Sequence, residues 1–372
     1  MRLLCLSYEY PPLGGGGAQV VQGLTRTLAK SGTEMDLVTM GFRGLPVRES
    51  LDNLNIYRIQ SLRAHQHMCT WPEMIPYISL ATTRAIQLAR KNRYDINHTH
   101  FIFPDGVIAY LLKRATGLNY IITAHGSDVP GYNPDRFRRL HRLLGPVWKK
   151  ITANAECIVC PSNSLRSLIL AVNPRAHCTL IPNGIDCDKF CTDQPRQDRI
   201  LLVTRMFARK GVQYLIEALA SIECKYKVAI VGDGPYLDEL RQLAGKLNVD
   251  VKFFGALAND TDQLRKLFET SRIFVLPSKA ENFPIVLLEA MAAGLAIVTT
   301  RNTGCEEVVG DSALLVQPGS SRDIARALVQ LMTDKPLRDH LGKTARKRLE
   351  NEFDWLCVSD RYRAIYHGAA GG

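Results

Sequence analysis

Residues 273–294 read Ile273-Phe274-Val275-Leu276-Pro277-Ser278-Lys279-Ala280-Glu281-Asn282-Phe283-Pro284-Ile285-Val286-Leu287-Leu288-Glu289-Ala290-Met291-Ala292-Ala293-Gly294. Four apolar residues make a buried strand, and a polar turn follows. An apolar helix from Pro284 to Ala293 then closes on a glycine, and Ala296–Thr299 is the next short apolar run. Strand, helix and strand in so few residues describe a parallel βαβ unit. The same alternation extends in both directions. Strands are expected at Leu3–Ser7, Asp36–Met40, Ile56–Ile59, Ile96–Thr99, Tyr120–Thr123, Cys157–Cys160 and Cys178–Ile181, then at Ile200–Val203, Lys227–Val231 and Val251–Phe254, with helices between them. Pro182-Asn183-Gly184-Ile185-Asp186 interrupts the series as a turn that separates units. The expected fold is α/β, two Rossmann-like, doubly wound parallel-sheet domains facing an interdomain cleft. The expected bounds are 1–183, 184–354 and a C-terminal segment 355–372, read as a crossover helix returning to the first domain with a frayed tail.

In doubly wound sheets, ligands bind at the carboxyl ends of the strands. The turns found there are therefore the candidate site. Pro284 suits a first helical position, where its missing N–H costs nothing, and the free amides of that turn face an anion. Glu281 stands at the strand end, and Glu289 lies in a helix otherwise made of Val, Leu, Ala and Met, where an acid needs a partner or a ligand. Two carboxylates flanking an anion site suit a ligand with hydroxyls at both ends and a diphosphate between. That describes a nucleotide sugar, with Glu281 on the sugar, Glu289 on the ribose, and Asn282, Phe283, Pro284 and Ile285 along it.

Four other turns fit the same ligand. Arg205 and Lys210 flank the Thr204–Gly211 turn, where two cations can meet one diphosphate. Gly232 and Gly234, in Gly232-Asp233-Gly234-Pro235, allow backbone to approach a base or ribose. Gly14 to Gly17 separate the first strand from a helix expected at Ala18, so Gly15, Gly16 and Gly17 expose backbone amides to a phosphate or a sugar hydroxyl. His125, in His125-Gly126-Ser127-Asp128, follows a strand end, with Asp128 near enough to orient a group.

Composition removes several other classes. A chain of 372 residues with 46% hydrophobic and 22% charged residues is ordinary globular material. The start has no small-residue cleavage site, and Phe283–Val298 is too short to span a bilayer and contains Glu289. Ten scattered Cys favour reduced thiols and a cytoplasmic location. Cys157 and Cys160 form a lone CxxC inside an apolar strand, which reads as core. Asp186-Cys187-Asp188 and Asp260-Thr261-Asp262 are short acidic triplets in a turn and at a helix start. Neither is read as a metal site, and no cofactor is expected.

These motifs, in this order, resemble the retaining glycosyltransferases of the GT-B fold, and within them family 4, the glycogen-synthase-like group 1 enzymes. The resemblance spans residues 11 to 304 and includes the Glu281-x(7)-Glu289 pair, TRMFARKG, PNGID, GDGP, HGSD and the glycine turn. It implies hexosyl transfer from a nucleoside-diphosphate sugar, UDP- or GDP-linked, to an acceptor hydroxyl with retained configuration. The positions matching Arg205 and Lys210 would neutralise the departing diphosphate, and those matching Glu281 and Glu289 would bind sugar and ribose. His125 would approach the donor sugar, and Gly15 to Gly17 would lie near phosphate and acceptor. Asn282 departs from the glycine of many relatives. Thr303-Gly304 matches a loop placed near the diphosphate.

The net charge of +11 is uneven: residues 1–183 hold 21 Lys+Arg against 11 Asp+Glu. The surplus therefore lies in the expected acceptor half. Arg136, Arg138, Arg139, Arg142, Lys149 and Lys150, with Trp148, mark a basic amphipathic helix suited to an anionic membrane. Arg84, Arg90, Lys91 and Arg93 extend the patch. A lipid-linked or cell-envelope glycan acceptor at the inner membrane face fits that charge. The alternatives are a soluble small-molecule acceptor, or a non-transferase enzyme of the same fold such as a sugar-nucleotide epimerase. Nucleic acid is not an expected partner, since no recognition helix or stacking strand is present.

Overall fold

The computed structural model describes all residues except His67, Asn133, Asp260, Gly371 and Gly372, and the side chains of 134–143. The chain forms two compact units, Met1–Gly184 with Trp355–Gly372, and Ile185–Asp354.

The first unit contains β1 (Arg2–Ser7), α1 (Gly16–Lys30), β2 (Glu34–Met40), β3 (Arg48–Leu51), β4 (Leu54–Ile59), α2 (Trp71–Lys91) and β5 (Ile96–His100). It continues with α3 (Asp105–Thr116), β6 (Tyr120–Thr123), α4 (Pro134–Asn154), β7 (Cys157–Cys160), α5 (Asn163–Val172) and β8 (Cys178–Leu180). Its sheet runs β3-β4-β2-β1-β5-β6-β7-β8, parallel except for the β3–β4 hairpin. The inner strands are buried on both faces, as helices on each side require. β3 escaped the sequence reading because Arg48-Glu49-Ser50-Leu51 is a half-exposed edge with no apolar run.

The second unit contains β9 (Arg199–Val203), α6 (Val212–Ala220), β10 (Lys227–Val231), α7 (Leu237–Lys246), β11 (Lys252–Phe253), α8 (Asp262–Thr270) and β12 (Ile273–Leu276). α9 (Ile285–Ala292), β13 (Ala296–Thr300), α10 (Gly304–Val309), β14 (Ala313–Val316), α11 (Ser321–Thr333) and α12 (Lys335–Glu352) complete it. Its sheet is wholly parallel in the order β11-β10-β9-β12-β13-β14. The last helix, α13 (Trp355–Ala370), packs on α1 of the first unit, where Gly23 and Gly184 leave room for the Trp355 indole. A Cβ on either glycine would fall within 2.5 Å of that ring.

Two expected helix starts move. α1 begins at Gly16, two residues before the expected Ala18, so Gly15 is its cap and Gly16 and Gly17 belong to its first turn. Pro284 caps α9 with extended backbone, and Ile285 is the first helical residue. Among the described residues, no helix is long and apolar enough to cross a membrane.

Candidate functional site

Each sheet reverses its strand order once, between β1 and β5 and between β9 and β12. Such reversals open crevices at the strand ends. Within the second unit, that adjacency brings together turns separated by some seventy residues. The turn after β12 lies along the turn after β9: Lys279 N donates to Arg209 O at 2.8 Å. Gly211 sits at φ +75°, and a Cβ there would lie 2.0 Å from Pro277 O. Across this seam Lys210 Nζ meets Glu281 Oε1 at 2.5 Å, with side chains only 14% and 8% exposed. The turn after β13 closes the cluster, with Gly304 N donating to Glu281 O at 3.0 Å and Thr300 Oγ1 to Ser278 O at 2.7 Å.

The two cations read as one pair have different surroundings. Lys210 is committed to Glu281, whereas the Arg205 guanidinium is exposed, with no hydrogen bond or ion pair among the described residues. Glu289 has a protein partner that spacing did not show. Lys189 Nζ, from the turn Cys187–Lys189, donates to its carboxylate. Asn282 and Phe283 are buried, and the Phe283 ring meets Phe353 edge-on at 5.7 Å. Gly232 and Gly234 have a packing cause. Their φ values are +133° and +156°, and added Cβ atoms would fall 1.8 Å from Thr204 O and 2.5 Å from Met206 O.

In the first unit, His125 is held by Asp128, whose carboxylate accepts from His125 N (3.0 Å), Gly126 N (2.8 Å) and Ile102 N (2.7 Å). Gly17 packs beside it: a Cβ there would meet Phe101 Cζ at 2.8 Å and His125 Nδ1 at 3.5 Å. The glycine turn and the histidine thus share one corner of this unit. Behind them lies a column that sequence reasoning missed. His100 Nδ1 is 3.2 Å from His125 Nε2, and His98 bonds Thr123 Oγ1 and Tyr366 OH, both at 2.8 Å. The available signal was Asn97-His98-Thr99-His100, four polar residues in a central strand that ought to be apolar.

Loss of hydration lowers His98 and His125 to about 3, and His100 well below its ordinary value. Their folded values lie below the unfolded value, so their contribution to stability is complete above about pH 6.5 and is lost as pH falls toward 3. By pH 5, each imidazole kept neutral costs roughly 2 kcal/mol. Burial raises Asp105 and Asp128, which oppose part of that slope. The expected result is a smaller fall in Tm between pH 7 and pH 5 for His100→Asn than for the wild type. Equal falls in thermal unfolding scans would exclude the column as its cause.

The basic helix needs correction. Trp148 is buried, and its indole N–H donates to Asp128 O at 3.1 Å, so it braces the His125 turn from the core and is no membrane anchor. Lys149 and Lys150 are exposed. The side chains of Arg136, Arg138, Arg139 and Arg142 lie outside the described residues. Asp186 accepts from Asp188 N at 2.9 Å, Asp188 lies 3.6 Å from Arg346, and Asp262 lies 3.8 Å from Arg265. Thr261 caps α8, and Asp260 falls outside the described residues.

The family model for glycosyltransferase family 4 matches residues 14–189, and that for glycosyl transferases group 1 matches 192–348. The chain belongs to the group 1, family 4 glycosyltransferases. This glycosyltransferase is 28% identical to N-acetyl-alpha-D-glucosaminyl L-malate synthase of Bacillus anthracis, over 96% of its own chain and 95% of the relative. Among solved structures, sucrose-phosphate synthase of Thermosynechococcus elongatus superposes with a TM-score of 0.80 at 22% identity, covering 99% of this chain and 98% of that one. HepE of Anabaena, solved in complex with UDP, superposes at 0.78 with 17% identity, covering 99% and 100%. These likenesses show the GT-B fold.

Proposed function

We propose that this glycosyltransferase moves a hexosyl unit from a nucleoside-diphosphate sugar to an acceptor hydroxyl and retains the anomeric configuration. The convergence of the turns after β9, β12 and β13 around Lys210 and Glu281 carries the reading. Arg205 supplies an uncommitted cation for the diphosphate, and Lys210 a second that Glu281 holds in place, so charge developing on the leaving group meets fixed partners. Glu281 accepts from donor-sugar hydroxyls, and Glu289, shared with Lys189, from ribose. UDP is the favoured nucleotide, since the similar HepE was solved with UDP.

Glu281 is already engaged by Lys210, which weakens it as a nucleophile. We assign a same-face displacement. The acceptor oxygen bonds the anomeric carbon as the bond to the diphosphate oxygen breaks, and a diphosphate oxygen takes the acceptor's proton. No step requires a metal. His125, neutral at ordinary pH, offers a hydrogen bond without a charge.

The acceptor has two readings. Exposed Lys149 and Lys150 support a lipid-linked acceptor at an anionic surface, whereas buried Trp148 removes the apolar anchor of that helix. The relative named for L-malate favours a small soluble acceptor. The function is tested by thermal shift against UDP, GDP and ADP and their glucose conjugates, with EDTA present throughout. A rise with one nucleotide family, and sugar release in the donor's anomeric configuration, are expected. No shift with any nucleotide, or an inverted product, would sink the proposal.

A further inference from the structure

Four cations surround a cavity of about 280 Å³ in the first unit, lined by Arg2, Asp36, Arg48, Tyr57, Arg84 and Lys91 among others. It lies between the sheet and the C-terminal half of α2, toward the end where β1 begins, and the Gly14–Gly17 turn follows the other end of that strand.

The acids nearby are occupied. Asp36 accepts from Arg2 (3.1 Å), Tyr94 OH (2.5 Å) and Asn55 (2.9 Å), and Glu49 binds Arg58 at 2.8 Å. Arg48, Arg84 and Lys91 have no carboxylate partner among the described residues. Two of them contact the same aromatic ring. The guanidinium carbons of Arg84 and Arg48 lie 4.6 Å and 5.4 Å from the centroid of the same Tyr57 ring. Arg48 and Lys91 are exposed and Arg84 is half-buried, so three unneutralised cations line one concavity and make its potential positive.

We infer that this cavity binds a phosphate group carried on a polyol. Guanidinium forks match tetrahedral oxyanions in a way that ammonium groups do not. Among the described residues neither guanidinium donates a hydrogen bond, and Lys91 adds a third cation. The volume exceeds that of a bare phosphate and approaches the range of small-molecule sites. Asn55 is engaged by Asp36 and Ser50, and the side-chain carbonyl of Asn92 at the wall suits a hydroxyl group. The ligand is either a free sugar phosphate or the headgroup of an anionic lipid, and it does not depend on the glycosyl-transfer reading.

The full chain is titrated with glucose 6-phosphate by calorimetry, and separately sedimented with phosphatidylcholine vesicles with and without phosphatidylinositol. Binding to at least one probe is expected. It should weaken tenfold or more in Arg48→Gln/Arg84→Gln, weaken in Lys91→Gln, fall with added salt, and persist in Arg205→Gln. Sedimentation alone identifies the lipid source, and calorimetric binding alone the soluble one. Failure to bind either probe, or binding that survives the double substitution or disappears with Arg205→Gln, would overturn the site. Circular dichroism confirms folding of each variant.

Discussion

Lys210→Met and Glu281→Gln are each expected to lower kcat by roughly 10²–10³-fold, the cost of losing one preorganised electrostatic partner. Each also leaves a nearly buried charge without its counterpart, at about 3 kcal/mol of stability. The double variant Lys210→Met/Glu281→Gln separates the two effects. It removes both charges, so stability should return most of the way toward wild type while kcat stays low. Denaturant unfolding and turnover measured on the same four proteins decide it. If activity returned along with stability, the pair would be a brace for the turns and Lys210 would play no part in the reaction.

Gly304→Ala is the second large effect. A Cβ at this position would lie 1.6 Å from Asn282 O and 2.8 Å from Glu281 O, both backbone atoms that cannot swing aside. Alanine is the better helix former, so propensity alone predicts a gain at the first residue of α10. The steric term has the opposite sign and wins, because the turn carrying Glu281 must move to admit the methyl group. A displacement near 1 Å in a positioned group costs on the order of 10²-fold in rate. A drop of that size in kcat, together with a lower Tm, is expected. Gly245→Ala is the control: nothing lies within 4 Å of a Cβ there, inside α7, and stability should rise slightly. Wild-type kinetics in Gly304→Ala would show that the turn after β13 does not support Glu281.

The readable parts of the sequence were local. Cys157–Cys160, Lys227–Val231 and Ile273–Leu276 are strands with the expected bounds, because a short apolar run between turn residues is itself the strand signal. Edges read poorly: Arg48–Leu51 is three polar residues followed by one leucine, and the six residues of α10 are too few to show a period. Lys189 had no visible signal, since nothing local ties a lysine in a short turn to an acid one hundred residues later. Trp148 misled for a related reason. Helical spacing groups residues on a face, but it does not say whether that face meets core or solvent.

The sequence by itself therefore determined the α/β class, the turns at strand ends and the glycosyltransferase family, all carried by contiguous residues. Strand order was decided only by the tertiary structure. Because β9 lies beside β12, Lys210 reaches Glu281 and leaves Arg205 uncommitted; because β5 lies beside β6, His100 reaches His125. Periodicity encodes which face of an element is apolar. Which elements become neighbours follows from packing whole helices onto whole sheets, a nonlocal balance that no single segment records.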